Sequence, residues 1–92
     1  MHAALIRLTI DPTQAPAAAA AFSQTILPRV TAAEGFVAGY WYGDEAQRKG
    51  AATIVFDSED NANALMNMIR EQEGPGHATI DNIEVHEVVA NA

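Results

Sequence analysis

The chain has 92 residues, a net charge of −7 and no cysteine. This length corresponds to a single domain over residues 1–92, and a core of that size is marginally stable unless association adds to it. The acidic balance argues against nucleic acid and anionic membranes as partners, because both are bound by basic surfaces. The absence of cysteine excludes disulfides and thiolate metal sites, and no segment approaches the roughly 18 consecutive apolar residues of a membrane span. We therefore expect a cytoplasmic domain that associates with another chain.

The first predicted elements are a strand and a long helix. Apolar positions recur at every second residue over residues 3–10, which predicts a strand. Thr13 is the expected N-cap of the helix, because Pro16 then falls in the first turn, where backbone N–H groups have no partner within the helix. The apolar stripe of the helix continues past Pro28, so we expect a kink there and a left-handed cap at Gly35. The stripe consists of Ala19, Phe22, Ile26, Val30 and Ala33.

Three further strands and a second helix complete the predicted order. The strands are expected at residues 36–42, 51–56 and 80–89, from their aromatic and β-favouring content. A polar, glycine-bounded loop at residues 43–50 joins the first two of them as a hairpin. Ser58 is the expected N-cap of the second helix, and Gly74-Pro75-Gly76 should end it. This order, β-α-β-β-α-β, predicts the ferredoxin-like α+β fold, with both helices on one face of the sheet.

The predicted sheet has apolar side chains on both faces. We expect the first and last strands to be antiparallel neighbours, with the register that places their apolar residues under the helices. The expected pairs are Ile6 with Val85, Leu8 with Ile83, Arg7 with Glu84 and Leu5 with His86. On the second strand, Phe36, Ala38, Tyr40 and Tyr42 are expected on one face, and Val37, Gly39 and Trp41 on the other. Such a sheet predicts a homodimer with the helix-free faces together, and the alternative is a monomer with scattered exposed apolar groups.

One region of the chain resembles a known family. Residues 35–41 (GFVAGYW), the loop after them, and residues 53–59 (TIVFDSE) with the alanine-bearing helix start that follows are similar to antibiotic-biosynthesis-monooxygenase-like proteins of the dimeric α/β-barrel group. The resemblance implies a homodimer and, for its oxygenase branch, cofactor-independent oxygenation of a small aromatic molecule. Haem-degrading members carry a histidine on the second helix, and residues 59–73 contain none. The alternative to an enzyme is a small ligand-binding or accessory protein.

The candidate site residues form two groups. The ligand-pocket candidates are Phe22, Trp41, Met66 and His77. Trp41 is either part of the core or the wall of an aromatic-ligand pocket, and Met66 is either a soft ligand contact or a gap filler. His77 is either a general base near neutral pH or a surface loop histidine. The expected polar network on the dimer face consists of Arg7, Glu84 and His86. No residues form a recognisable metal motif, so no metal is expected, and the resemblance implies that no cofactor is needed.

Overall fold

A computed structural model of the chain describes residues 1–43, 49–71 and 78–92. The strands are β1 (His2–Ile10), β2 (Phe36–Gly43), β3 (Lys49–Phe56) and β4 (Ala78–Glu87). A first helical segment runs from β1 towards β2 and contains α1 (Ala15–Ala21) and α2 (Leu27–Thr31); α3 (Glu59–Glu71) connects β3 to β4. Among the described residues, no helix is long and apolar enough to cross a membrane.

The strands form one antiparallel sheet with the order β2-β3-β1-β4. This is the ferredoxin-like α+β arrangement that the sequence predicts. The core lies between the helices and one face of the sheet, where burial of apolar area is the main stabilising contribution. Its most buried large side chains are Val30, Ile54, Phe56 and Met66.

The first helical segment begins differently from the prediction. A 3₁₀ turn over Pro12–Gln14 precedes α1, and the predicted N-cap at Thr13 is wrong. Asp11 Oδ1 instead accepts hydrogen bonds from the Thr13 hydroxyl (2.8 Å) and the Thr13 backbone N–H (2.9 Å). The separate turn allows Pro16 to lie in the first turn of α1, where its missing N–H costs no helical hydrogen bond. The pKa of Asp11 lies below its usual value, mainly because of the hydrogen bond from the Thr13 hydroxyl and to a smaller extent because of the one from the Thr13 backbone N–H.

The helical segment continues through Pro28, as predicted, but its irregularity lies upstream. Between α1 and α2 the chain forms a π-helical turn over Phe22–Ile26, in which the Leu27 N–H reaches back to the carbonyl of Phe22. The wider turn lies directly before Pro28, which has no N–H to continue an α-helical ladder. The helix ends at Thr31 with Ala32 as its C-cap, so the predicted cap at Gly35 is wrong. Gly35 nevertheless has φ +79°, the left-handed conformation that was expected there.

The second helix begins as predicted. The Asn61 backbone N–H donates to Ser58 Oγ at 3.2 Å, so Ser58 caps α3. Residues 44–48 and 72–77 are outside the described part of the chain, and they include the predicted hairpin loop and the Gly74-Pro75-Gly76 turn.

The register of β4 against β1 differs from the prediction by two residues. Leu5, not Arg7, lies opposite Glu84, and Arg7 lies opposite Asn82. The other observed pairs are Ile6 with Ile83, Ala4 with Val85 and Ala3 with His86. From His2 to Arg7, a shift of two residues leaves the side chains of both strands on their predicted faces, so the alternation of apolar and polar residues cannot distinguish the two registers there. Beyond Arg7 the predicted pair of Leu8 with Ile83 is also wrong, because Leu8 lies opposite Ile80.

Two bulges adjust which side chains face the helices. In β2 the pairing shifts between Phe36 and Ala38, so Phe36 lies opposite the buried Phe56, on the helix side. Its predicted place on the same face as Ala38 is therefore wrong. In β4 the pairing shifts at Asp81, which lets both Ile80 and Ile83 pack against the core although they are three residues apart.

Candidate functional site

The helix-side face of β2 carries an aromatic pair. Trp41 lies opposite the buried Ala52 of β3, so its side chain faces the helices. Its ring lies 5.5 Å from the ring of Phe22, with 60° between the planes, which is a favourable tilted arrangement. Both side chains are only partly buried, and β2 is an edge strand of the sheet. The pair is thus accessible at one border of the layer between helices and sheet.

Gly39 provides the space that the indole of Trp41 occupies. A Cβ atom at residue 39 would lie 2.6 Å from Cη2 of Trp41, which is closer than side chains pack. The position of the indole therefore depends on a residue without a side chain two positions earlier on the same face. Sequence analysis placed Gly39 and Trp41 on one face but gave no reason to see Gly39 as part of the site.

Phe22 is the first residue of the π-helical turn. Such turns are rare, and they occur frequently at functional sites because they change the direction of side chains within a helix. Here the turn carries the side chain that contacts Trp41. The irregular part of the first helical segment and the only tryptophan of the chain therefore belong to the same surface.

The other two ligand-pocket candidates do not join the aromatic pair at the surface. Met66 is completely buried and belongs to the core cluster against which Trp41 packs. In the protomer it offers no surface to a ligand. His77 is outside the described residues.

Two of the clefts on the described surface have linings that include neither Trp41 nor Phe22. One, of about 290 Å³, lies between Arg70 at the end of α3 and the bulged part of β4. The other, of about 40 Å³, lies between the first helical segment and α3, beside Ile26 and Ile69.

The polar network on the helix-free face does not consist of the three residues predicted for it. Glu84 accepts a hydrogen bond from Asn82 Nδ2 at 3.1 Å, and its other oxygen lies 3.4 Å from His86 Nε2. Arg7 is on the same face but opposite Asn82, two residues from the predicted partner. Glu84 and His86 are thus together as predicted, and Asn82 rather than Arg7 completes the network.

A second polar group lies at the far end of the same face. Lys49 Nζ donates to Thr9 Oγ1 at 2.8 Å, and this hydroxyl donates to Asp81 Oδ2 at 2.6 Å. The ammonium and the carboxylate are 3.9 Å apart. The three side chains are substantially exposed, so we interpret the group as a surface network that fixes the bulge of β4.

His2 is a structural residue rather than a free terminus. It belongs to β1, and its Nε2 lies 3.4 Å from Glu59 Oε2 at the start of α3. Its Nδ1 is buried without a hydrogen-bond partner among the described residues. Within that part of the chain, no group of three or more histidine, aspartate or glutamate side chains is arranged to hold a metal ion.

Sequence comparison gives no family. The chain matches no protein-family model, and a search of curated proteins found no match.

Structural comparison does find relatives of the fold. MupZ from Pseudomonas fluorescens superposes with a TM-score of 0.73 at 17% identity, over 92% of this chain and 66% of that one. A dimeric ferredoxin-like protein from an uncultured marine organism gives 0.67 at 12% identity, over 100% and 98%. A monooxygenase from the gene ActVA-Orf6 of Streptomyces coelicolor, in complex with nanaomycin D, gives 0.61 at 10% identity, over 99% and 89%. The chain thus spans about two thirds of the length of MupZ and most of the other two.

These likenesses confirm the fold that the sequence predicts. The neighbours include a dimeric ferredoxin-like protein and a monooxygenase, in agreement with the group that residues 35–59 resemble. At 10–17% identity the agreement concerns the backbone and not the chemistry of the site.

Proposed function

We propose that the protein is a homodimer that binds a small aromatic molecule on the exposed side of the Trp41–Phe22 pair and oxygenates it without a cofactor. The observation that carries the proposal is the partly exposed aromatic pair, held by Gly39 on one side and by a π-helical turn on the other. The likeness in fold to a monooxygenase supports the reaction class.

A flat aromatic ligand suits this surface for physical reasons. Two aromatic rings at an angle of 60° present a face and an edge, and a further ring can stack on the first and meet the second edge-on. The apolar core behind the pair excludes water from that side. Because Trp41 sits on an edge strand, a ligand can approach without unfolding of a central element.

The oxygenation can take all its electrons from the substrate. A dihydroxyaromatic molecule is oxidised to the quinone and gains one oxygen atom of O₂ as a new hydroxyl group, while the other oxygen atom leaves as water. The four electrons that reduce O₂ come from the substrate, so no external reductant is needed. The part of the protein is to hold the ring, exclude water and favour the ionised substrate.

The second candidate function is binding without chemistry. It is favoured by the apolar contacts of Trp41, which packs against the hydrophobic core and the ring of Phe22. A general base would then have to come from elsewhere, and His77 is the sequence-based candidate. Under this alternative the same pair binds the aromatic molecule as a carrier or accessory protein.

The homodimer is supported by the helix-free face of the sheet. Tyr40 and Tyr42 are 65% and 54% exposed on this face, a high exposure for aromatic side chains. The dimeric ferredoxin-like neighbour has the same fold. A second copy placed face to face would cover these side chains and form the dimeric barrel that the resemblance implies.

Oxygen uptake tests the reaction. The protein would be mixed with 1,4- and 1,5-dihydroxynaphthalene, and oxygen consumption measured above the rate without protein. We expect catalytic uptake with at least one compound and release of a hydroxyquinone. Phe22→Leu and Trp41→Leu should lower the catalysed part at subsaturating substrate, whereas Ile26→Ala, in the same π-helical turn but beside the cleft at Ile69, should retain it. Saturable binding without uptake would support the carrier alternative, and neither binding nor uptake would contradict both.

A further inference from the structure

The helix-free face is organised in rows that cross the whole sheet. Because the pairs of β2–β3, β3–β1 and β1–β4 share residues, each row can be followed from one edge to the other. The first row is Tyr40–Thr53–Leu5–Glu84, the second is Tyr42–Ala51–Arg7–Asn82, and the third is Ala38–Val55–Ala3–His86. Each row begins on the edge strand β2 and ends on the edge strand β4.

The two ends of these rows differ in chemistry. At the β2 end, the exposed Tyr40 and Tyr42 present phenolic hydroxyl groups. At the β4 end, Glu84 collects the polar contacts of Asn82 and His86 and is 43% exposed. The middle positions of the rows alternate larger side chains (Leu5, Arg7 and Val55) with smaller ones (Ala3, Ala51 and Thr53). One edge therefore offers hydrogen-bond donors and aromatic surface, and the opposite edge offers a carboxylate.

Two-fold symmetry limits how a second copy can cover this face. The axis of a face-to-face dimer must lie between the sheets and parallel to them, and packed sheets keep their strands roughly aligned. The axis then runs either along the strands or across them. Rotation about an axis along the strands leaves the position of each residue in the strand direction unchanged. Each row therefore faces the same row of the partner subunit, which crosses the sheet in the opposite direction.

In this arrangement each row is complementary to the same row of the partner subunit. Tyr40 meets Glu84 of the partner subunit, so a hydroxyl donor faces a carboxylate acceptor. In three of the contacts listed next, a larger side chain meets an alanine of the partner. The remaining contacts are Arg7 with the partner's Ala51, Tyr42 with the partner's Asn82, His86 with the partner's Ala38, Leu5 with the partner's Thr53 and Val55 with the partner's Ala3.

An axis across the strands gives a worse interface. It lays β4 on the partner's β4 and β2 on the partner's β2. The acidic side chains that β4 carries on the helix-free face, Asp81 and Glu84, would then lie against the same strand of the partner. In a chain with a net charge of −7, this places like charges together in an interface, which opposes association.

We infer that the two-fold axis of the dimer runs along the strands, so that the tyrosine edge of each sheet covers the carboxylate edge of the partner and Tyr40 donates to Glu84 of the partner subunit. The inference rests on the proposed homodimer and adds its geometry. It also assigns Tyr40 and Glu84 as the residues that determine which surface of the second copy is recognised.

Cysteine crosslinking tests the orientation, and the natural chain contains no cysteine to interfere. Tyr40→Cys, Glu84→Cys and the double variant would be treated with a bismaleimide that spans roughly the 10 Å between packed sheets. We expect covalent dimers from the double variant only. Within one protomer the two positions are three strand spacings apart, roughly 14 Å, so the reagent does not join them. Asn63→Cys, exposed on α3, is the control that should give no covalent dimer.

The outcomes separate the orientation from the dimer itself. Light scattering that gives a protomer mass would contradict the homodimer. A dimer in which Tyr40→Cys or Glu84→Cys alone is crosslinked, or in which the double variant is not, would overturn the orientation. If the first double variant fails to associate, Tyr42→Cys with Asn82→Cys tests the neighbouring row in the same way.

The hydrogen bond has its own test. Tyr40→Phe and Glu84→Gln should each weaken dimerisation by about tenfold. The double variant should be no weaker than the worse single variant if the two groups contact each other. Effects that multiply would contradict the contact between Tyr40 and Glu84 of the partner subunit.

Discussion

The indole of Trp41 lies across Gly39, and a Cβ atom at residue 39 would come within 2.6 Å of it. Gly39→Ala should therefore displace the ring or strain the strand, at a cost of about 1–3 kcal/mol in the free energy of unfolding. Because Trp41 is the single tryptophan, its fluorescence reports the displacement directly, and we expect a red shift of its emission. Val37→Ala, at a half-exposed bulge position of the same strand, is the control that should leave the emission unchanged. An unchanged emission in Gly39→Ala would mean that the indole is not held there.

Gly35 is the second glycine that the fold requires. It has φ +79°, and a Cβ atom there would collide with the side chains of Asp57 and Asn61, which are hydrogen-bonded to each other at 2.9 Å. The left-handed conformation alone costs an alanine roughly 1–2 kcal/mol, and the collision adds to it. Urea unfolding of Gly35→Ala at fixed protein concentration should show at least this loss. Glu34→Ala, at an exposed neighbour, should stay within about 0.5 kcal/mol of the natural chain.

The turn at Asp11 gives a pH-dependent prediction. Hydrogen bonds from the Thr13 hydroxyl and, to a smaller extent, its backbone N–H hold the pKa of Asp11 below 3.8. Because the folded pKa is the lower one, the carboxylate contributes to stability above pH 3.8, and the contribution is lost as pH falls through the folded pKa. A carbon-detected NMR titration should place the midpoint of Asp11 below 3.8, and Thr13→Val should raise it. Thr31→Val, which removes a hydroxyl bonded within α2, is the control, and an equal midpoint in all three proteins would contradict the contact.

The register of β4 can be checked without substitutions. Cross-strand nuclear Overhauser effects between the backbones of Leu5 and Glu84, and of Arg7 and Asn82, are expected from the observed pairing. Contacts between the backbones of Arg7 and Glu84 would instead support the register predicted from the sequence, which is shifted by two residues. Since both registers keep the same faces, this measurement decides which edge residues meet in the rows of the helix-free face.

The order of elements was predictable because their boundaries have strong signals. Ser58 before an amphipathic pattern marks the start of α3 through local chemistry, whereas Gly35 lies four residues after the end of the preceding helix at Thr31. The register was not predictable to better than two residues, because side chains alternate with a period of two and a shift by two leaves the pattern unchanged. The bulge after Phe36 was not predicted for a related reason, because strict alternation of side chains between the two faces does not allow an extra residue in one strand.

The site was predictable only in part. Trp41 and Phe22 stand out in the sequence as apolar aromatics on the helix-covered faces, and the structure brings them together. The supporting role of Gly39 depends on the direction of one side chain, and the π-helical turn depends on how the helix adjusts before Pro28. Neither leaves a signal in composition or periodicity. The same is true of His2, whose pairing with Glu59 requires the packing of α3 against the start of β1.

Both candidate functions require that an aromatic molecule binds at Trp41, so binding at this residue is the central claim. The most direct measurement is a titration of the Trp41 fluorescence with 2-hydroxy-1,4-naphthoquinone, the product expected from 1,4-dihydroxynaphthalene, corrected for absorption by the ligand. The account predicts saturable quenching in the natural chain and in Ile26→Ala, with the affinity lowered about 2- to 12-fold in Phe22→Leu, since loss of an aromatic contact is worth roughly 0.5–1.5 kcal/mol. Quenching that rises linearly without saturation, or that is the same in Phe22→Leu, would contradict it.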